Sequence, residues 1–178
     1  MARMSIPIEK FVAAPYTLWE EQWLVLTSGD YPSGKFNEMT VSWGALGCMW
    51  GRPFAQVVVR PHRYTFEFME QYPTFTLCAF APDFRPDLQL LGSLSGRETD
   101  KAIQAHLTPV AASQVAAPVF AEAILTIECK KMYWQDFDPT HFIDPNLNKN
   151  YPRQDYHRMY YGEIVAVFGE STYLRPTP

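Results

Sequence analysis

NEMTVSWGALGCMWGRPFAQVVVRPHRYT, residues 37–65, holds two strand-like runs, three glycines and an Arg-Pro-x-Arg-Tyr-Thr corner. The first run, Met39–Trp43, mixes β-branched and aromatic residues with small hydroxyls, a composition that suits a strand lying against a ligand. Gly44, Gly47 and Gly51 free the backbone to bend or to approach another group closely. The second run, Phe54–Val59, ends in Arg60-Pro61-His62-Arg63-Tyr64-Thr65, just where a helix is expected to start. A strand that delivers arginines to a helix start is a candidate phosphate site.

Working outward, Leu18–Thr27 reads as a first strand and Ser28–Phe36 as a turn-rich loop. Thr65–Gln71 is a short helix that Thr65 can cap, and Phe75–Phe80 a buried strand. Asp87–Leu94 reads as helical. Ser95-Gly96-Arg97-Glu98 has the form of a capping box opening a helix through about His106. Ala123–Trp134 alternates as a half-buried strand, Asp136–Asp155 is a long loop, and Met159–Val167 is a last strand. Residues 1–15 form an irregular lead-in. At least six strands with two or three short helices predict a β-rich α+β domain, whose short strands tend to close into a small barrel.

The 178 residues have the length of one domain, 1–178, without an internal repeat or boundary. A domain of this size buries roughly 70% of its unfolded surface. The 15% of aromatic residues points to a tight β core or a site that stacks planar ligands. A net charge of −4 argues against a general nucleic-acid surface. The absence of a long apolar run argues against a membrane span or a secretion signal. Cys48, Cys78 and Cys129 lie far apart in apolar runs and read as reduced core thiols of a cytoplasmic protein.

Candidate chemistry gathers at two anion sites: Arg60, Arg63 and Thr65, and Ser95-Gly96-Arg97 with Lys101. Each alone also reads as a solvated corner or a helix cap; together they would clamp one phosphate from two sides. At roughly 1.5–3 kcal/mol per charge-assisted bond, three or four contacts supply much of the roughly 8 kcal/mol of a micromolar ligand. Asn37–Trp43 would offer a backbone edge to a flat heterocycle, though an ordinary core strand has the same composition. His62, His106, His141 and His157 have no metal-type spacing, so no metal site is expected. No hydrolase elbow or P-loop is present. His157 sits at the mouth of the last strand, as a surface residue or a functional one.

Four motifs stand in order along the chain: N-x-M-T-V-S-W, R-P-x-R-Y-T, S-G-R-x-x-D-K and H-x-x-x-x-G-E-I. Over roughly residues 20–170 they resemble the flavin reductase-like family of FMN-binding split barrels, in its flavoredoxin-like branch. The resemblance implies a Greek-key split β-barrel with short peripheral helices, working as a homodimer with FMN near the subunit interface. It implies that Asn37, Met39, Thr40, Val41, Ser42 and Trp43 line the flavin ring. Arg60, Arg63, Tyr64 and Thr65, with Ser95, Gly96 and Lys101, would hold the phosphate. His157 falls where many relatives carry the histidine of a Gly-Asp-His motif, although Asp155-Tyr156 precede it here. The implied function is an FMN oxidoreductase with NADH or NADPH as donor. The alternative is an FMN-carrying electron-transfer protein, reduced by a redox protein partner.

Overall fold

Strands β2 (Leu24–Asp30) and β3 (Lys35–Val41) form a hairpin, turned at Tyr31–Gly34. The structure is a computed structural model and describes residues 3–176. Next come β4 (Gly44–Met49), β5 (Arg52–Val59), α1 (Tyr64–Gln71) and β6 (Thr74–Ala79). Two helices follow, α2 (Arg85–Ser93) and α3 (Lys101–Gln104), then the small pair β7 (Pro109–Val110) and β8 (Val119–Phe120). The long strands β9 (Leu125–Asp136) and β10 (Arg158–Gly169) complete the sheet, and β1 (Met4–Ser5) pairs with β10.

All pairings are antiparallel, in the order β3-β2-β6-β9-β10-β5-β4. β3 and β4 stand at opposite ends of this path yet are consecutive in the chain. The steps from Val41 to Gly44 reach at most about 11 Å, whereas seven flat strands would set the outer two about 29 Å apart. The sheet therefore curls until its ends nearly meet. It does not close: β3 and β4 share no ladder, and Ser42-Trp43 cross the gap.

The period of two sorts the side chains into two cores. Leu24, Leu26, Val57, Val59, Phe75, Leu77, Ile127 and Tyr160 fill the inside of the curl. Val25 and Cys78, on the outer face, pack with Phe80, Leu88, Leu91 and Phe120 beneath α2 and α3. β2 and β6 are thus covered on both sides, and every residue of β6 and all but Asp30 of β2 are buried.

Several sequence expectations are corrected. Leu18–Thr27 is not one strand: Thr17–Gln22 forms a π-helical turn that buries Leu18 and Trp19, and Trp23, at φ 63°, redirects the chain into β2. Ser28–Asp30 belongs to that strand and not to a loop. The stretch 37–65 carries parts of three strands, because Gly44 and Gly47 lie within β4. Only Gly51 makes a bend, with Trp50, at φ 72° and 53°, the two-residue hairpin geometry. A side chain at Gly44 would meet the Trp19 ring and the Gln56 carbonyl at 2.4 Å, so close approach is its reason.

Thr65 does not cap α1. Arg63 occupies the cap position, and the buried Thr65 hydroxyl turns into the sheet instead. Ser95–Glu98 is a turn outside any helix; Asp100 caps α3, accepting from the Ile103 amide at 3.2 Å. The start of β9, Leu125–Cys129, is buried on both faces: Thr126 and Glu128 are sealed too, Glu128 by the Ser113 and Gln114 amides, while its far end is exposed. Cys78 and Cys129 are buried thiols as expected, but Cys48 is exposed on β4. The segment 136–155 contains two 3-10 turns, Pro139–His141 and Pro145–Asn150, capped by Asp138 and Asp144. No helix among the described residues is long and apolar enough to cross a membrane.

Candidate functional site

Two adjoining clefts open where the ends of β3, β5 and β10 come together. The first, about 150 Å³, is lined by Met39, Thr40, Val41, Ser42, Trp43, Val58, Arg60, Arg63 and His157. The second, about 110 Å³, shares Met39 and Arg63 and adds Asn37, Tyr64, Thr65, Ser95, Gly96 and Lys101. Every site residue expected from the sequence lines one of the two. As β3 ends the strand path, its outer backbone edge has no neighbouring strand among the described residues and presents alternating donors and acceptors.

In the second cleft a buried network sets the floor. The Asn37 amide donates to the Thr65 hydroxyl at 2.6 Å and to the Glu38 carbonyl at 3.1 Å. The same carbonyl accepts from the Thr65 hydroxyl at 3.2 Å and from the Lys101 ammonium. Lys101 is only 3% exposed. Burial lowers its pKa, an effect that the nearby Glu38 carboxyl partly offsets. Burial likewise raises Glu38, against the pull of Lys101. Gly96 lies over this floor: a Cβ there would fall 1.9 Å from Asn37 Oδ1. Arg63 donates to the Gly92 carbonyl at 3.0 Å, and Arg97 packs over the Tyr64 ring at 4.9 Å while pairing with Glu67. The described lining therefore holds three cations, Arg63, Arg97 and Lys101, and no carboxylate. Such a cleft suits a compact anion.

Arg60 parts from this set. Its guanidinium faces the first cleft, bonds Asp155 at 3.0 and 3.1 Å and the Asn150 carbonyl at 2.8 Å, and lies 5.1 Å from the Tyr151 ring. This hydrogen bond holds the Asp155 carboxyl below its ordinary range. His62 also reaches Asp155, at 3.0 Å. His157 is 8% exposed, with its ring 5.2 Å from that of Trp43 and Nδ1 2.8 Å from the Tyr151 hydroxyl. Burial first, then the Arg60 charge, push its pKa down to about 4. The imidazole is neutral at neutral pH.

Sequence reading did not single out Val58, His62, Leu91, Ser93 or Leu94 as lining, nor Tyr151 and Asp155 as partners of His157 and Arg60. Arg97 was legible as part of the second anion site. The others gave no local signal, because their place depends on which strand ends meet.

A sequence profile of the flavin reductase-like domain matches residues 20–176. The chain belongs to that family. No curated protein matches it by sequence. Solved structures show the fold of this flavin reductase-like chain again. An FMN-binding domain of a flavin reductases-like enzyme from Shewanella baltica superposes with a TM-score of 0.69 at 17% identity, over 96% of this chain and 78% of that one. Flavoredoxin of Desulfovibrio vulgaris gives 0.66 at 23% identity, over 92% and 74%. A Shewanella frigidimarina protein with a split barrel domain gives 0.66 at 19%, over 84% and 67%. The open, curled sheet of the present flavin reductase-like domain is thus a split barrel.

Proposed function

We propose that this flavin reductase-like chain is an FMN-dependent oxidoreductase with NADH or NADPH as electron donor. The observation that carries the reading is the pairing of a cleft along a free strand edge with an adjoining cationic cleft that no carboxylate lines. The residues fit the group: Gly96 lets the loop backbone lie directly against Asn37, where any Cβ would collide with Oδ1, and Arg63, Arg97 and Lys101 supply positive charge beside it. Arg63, Tyr64, Thr65, Ser95, Gly96 and Lys101 would hold the phosphate. Met39–Trp43 and Arg60 would border the ring, while Asn37, expected there from the sequence, lies on the floor of the phosphate cleft. When bound, FMN supplies a ring that accepts two electrons with a proton and hands them on.

The protein's share is position, electrostatics and exclusion of water. Trp43 and His157 wall the first cleft on one side, and the neutral imidazole adds no charge beside a reacting ring. No acid–base pair is required of the chain. The visible spectrum of the purified protein, before and after anaerobic NADH and then NADPH, tests the reading. A flavin spectrum that bleaches promptly is expected. A protein that stays colourless after soaking with FMN would overturn it.

A second reading, an electron carrier reduced by a redox protein partner, draws on the strap 137–157. Arg60 draws this segment against the first cleft through Asp155 and Asn150. A flavin spectrum that persists under both nucleotides would favour it. For either reading we place FMN near the interface of a homodimer working in the cytoplasm. Trp50, Tyr133 and Trp134, between 45% and 62% exposed, supply apolar surface for such a contact. Light scattering at working concentration should give twice the chain mass.

In the same proposal, Gly96→Ala should weaken FMN binding by about tenfold or more, the cost of one disrupted hydrogen-bond network. The new methyl must displace the Asn37 amide from Thr65 and Glu38. Titration of the apoprotein, followed by flavin fluorescence, measures the loss.

A further inference from the structure

We infer that Tyr151 is a positioning residue: its hydroxyl donates to Nδ1 of His157 and holds the imidazole as the tautomer protonated at Nε2, a neutral donor for the first cleft. The inference rests on the proposed flavin site for its use, but not for its geometry.

The placement is built by several elements. Tyr151 ends the 3-10 turn Pro145–Asn150, with its amide bonded to the Asn148 carbonyl at 2.9 Å. Its ring is 5% exposed, stacks on Phe142 at 5.9 Å and 18°, and contacts Tyr156 at 4.8 Å. His157 is fixed by the Phe137 amide, which donates to its carbonyl at 2.9 Å. The 2.8 Å bond between the two side chains is therefore held from both ends.

The direction of that bond follows from chemistry. A phenol O–H is a stronger donor than a neutral imidazole N–H, and an unprotonated imidazole nitrogen is a stronger acceptor than a phenol oxygen. With Nδ1 accepting, the proton must sit on Nε2. Among the described residues Nε2 has no hydrogen-bond partner, and it is not one of the sealed polar atoms. It is left to a carbonyl or similar acceptor of whatever ring occupies the cleft. The charged and titratable groups facing His157 are Arg60, His62 and Arg63 from the β5–α1 corner, with Asp155 and Tyr151 from the strap. Trp43 and Phe137 supply the apolar walls.

Two-bond nitrogen–proton correlation spectra of the whole chain, labelled with 15N-histidine, test this with and without FMN. His157→Asn assigns the signal. The wild type should show an unprotonated Nδ1 and a protonated Nε2 at neutral pH; the reverse pattern, or an even mixture, overturns the inference. In Tyr151→Phe the donor that favours neutral imidazole is gone, so the His157 pKa should rise by about one unit, the equivalent of one net hydrogen bond. A pKa that stays put or falls overturns it, since a bond donated by the imidazole predicts a fall. Tyr151→Phe should also lower kcat/KM for NADH or NADPH about tenfold, on the same measure. Should that variant not fold, the wild-type spectrum decides alone. As the spectra need no flavin, failure of the flavin reading would be separately visible as the absence of FMN binding.

Discussion

FMN should bind this chain roughly 100-fold more tightly than riboflavin. The two ligands differ by one phosphate, so the ratio isolates the second cleft. Lys101 is buried with only a backbone carbonyl as acceptor, and Arg63 likewise spends one N–H on a carbonyl. Two charge-assisted contacts at about 1.5 kcal/mol each give about 3 kcal/mol, or two decades in Kd. Arg97 is discounted, because it is exposed and already paired with Glu67. Parallel fluorescence titrations with both flavins measure the ratio. Equal affinities would mean that the ring alone anchors the ligand, and the reading of the cationic cleft would fall.

Gly162→Ala should destabilise the fold by about 3 kcal/mol, at the upper end of typical overpacking costs. Gly162 lies in β10 opposite Lys131, beside a shift in register against β9. A methyl there would stand 2.5 Å from Phe75 Cε1 and 2.8 Å from Cys129 Cβ, and both neighbours are fully buried. Neither can retreat: Phe75 is in the inner core and Cys129 is part of the β9 backbone ladder. Gly92→Ala is the matched control. Its methyl would meet Thr40 at an ordinary 3.5 Å, and its helical backbone gains about 0.5–1 kcal/mol from alanine. Urea unfolding of both variants should show opposite signs. A neutral Gly162→Ala would show that the sheet centre has slack that the packing denies.

Much of this molecule was readable along the chain wherever the signal is local. Val57–Val59 and Leu125–Cys129 read as strands because neighbouring residues alternate or are uniformly apolar. Arg63, Thr65, Ser95 and Lys101 read as anion ligands because hydroxyls, glycine and cations cluster at two short segments, and the curl of the sheet does put both on one cleft. Elsewhere a local signal misled. Ser95-x-x-Glu98 has the letters of a capping box, yet Asp100, five residues on, captures the helix start. Thr65 has the chemistry of a cap, but a buried carbonyl at Glu38 competes for its hydroxyl and wins. Leu18–Gln22 was read with β2 although Glu20-Glu21-Gln22 interrupt its apolar residues; the need to close the end of the core bends it into a helical turn that buries Leu18 and Trp19.

The strands β5, β6, β9 and β10 and the residue types of the two anion segments were therefore determined by the sequence itself, through period and composition acting over a few residues. Tertiary structure alone decided which anion residues act together. Arg60 and Arg63 stand three apart, yet Asp155, ninety-five residues from Arg60, draws the first to the strap, while the Gly92 carbonyl keeps the second over the cationic cleft. Tyr151 and His157 likewise meet only because the strap folds back on the mouth of β10. Local propensity has no term for such partners: their energy depends on distance in space, which the closing of the sheet sets.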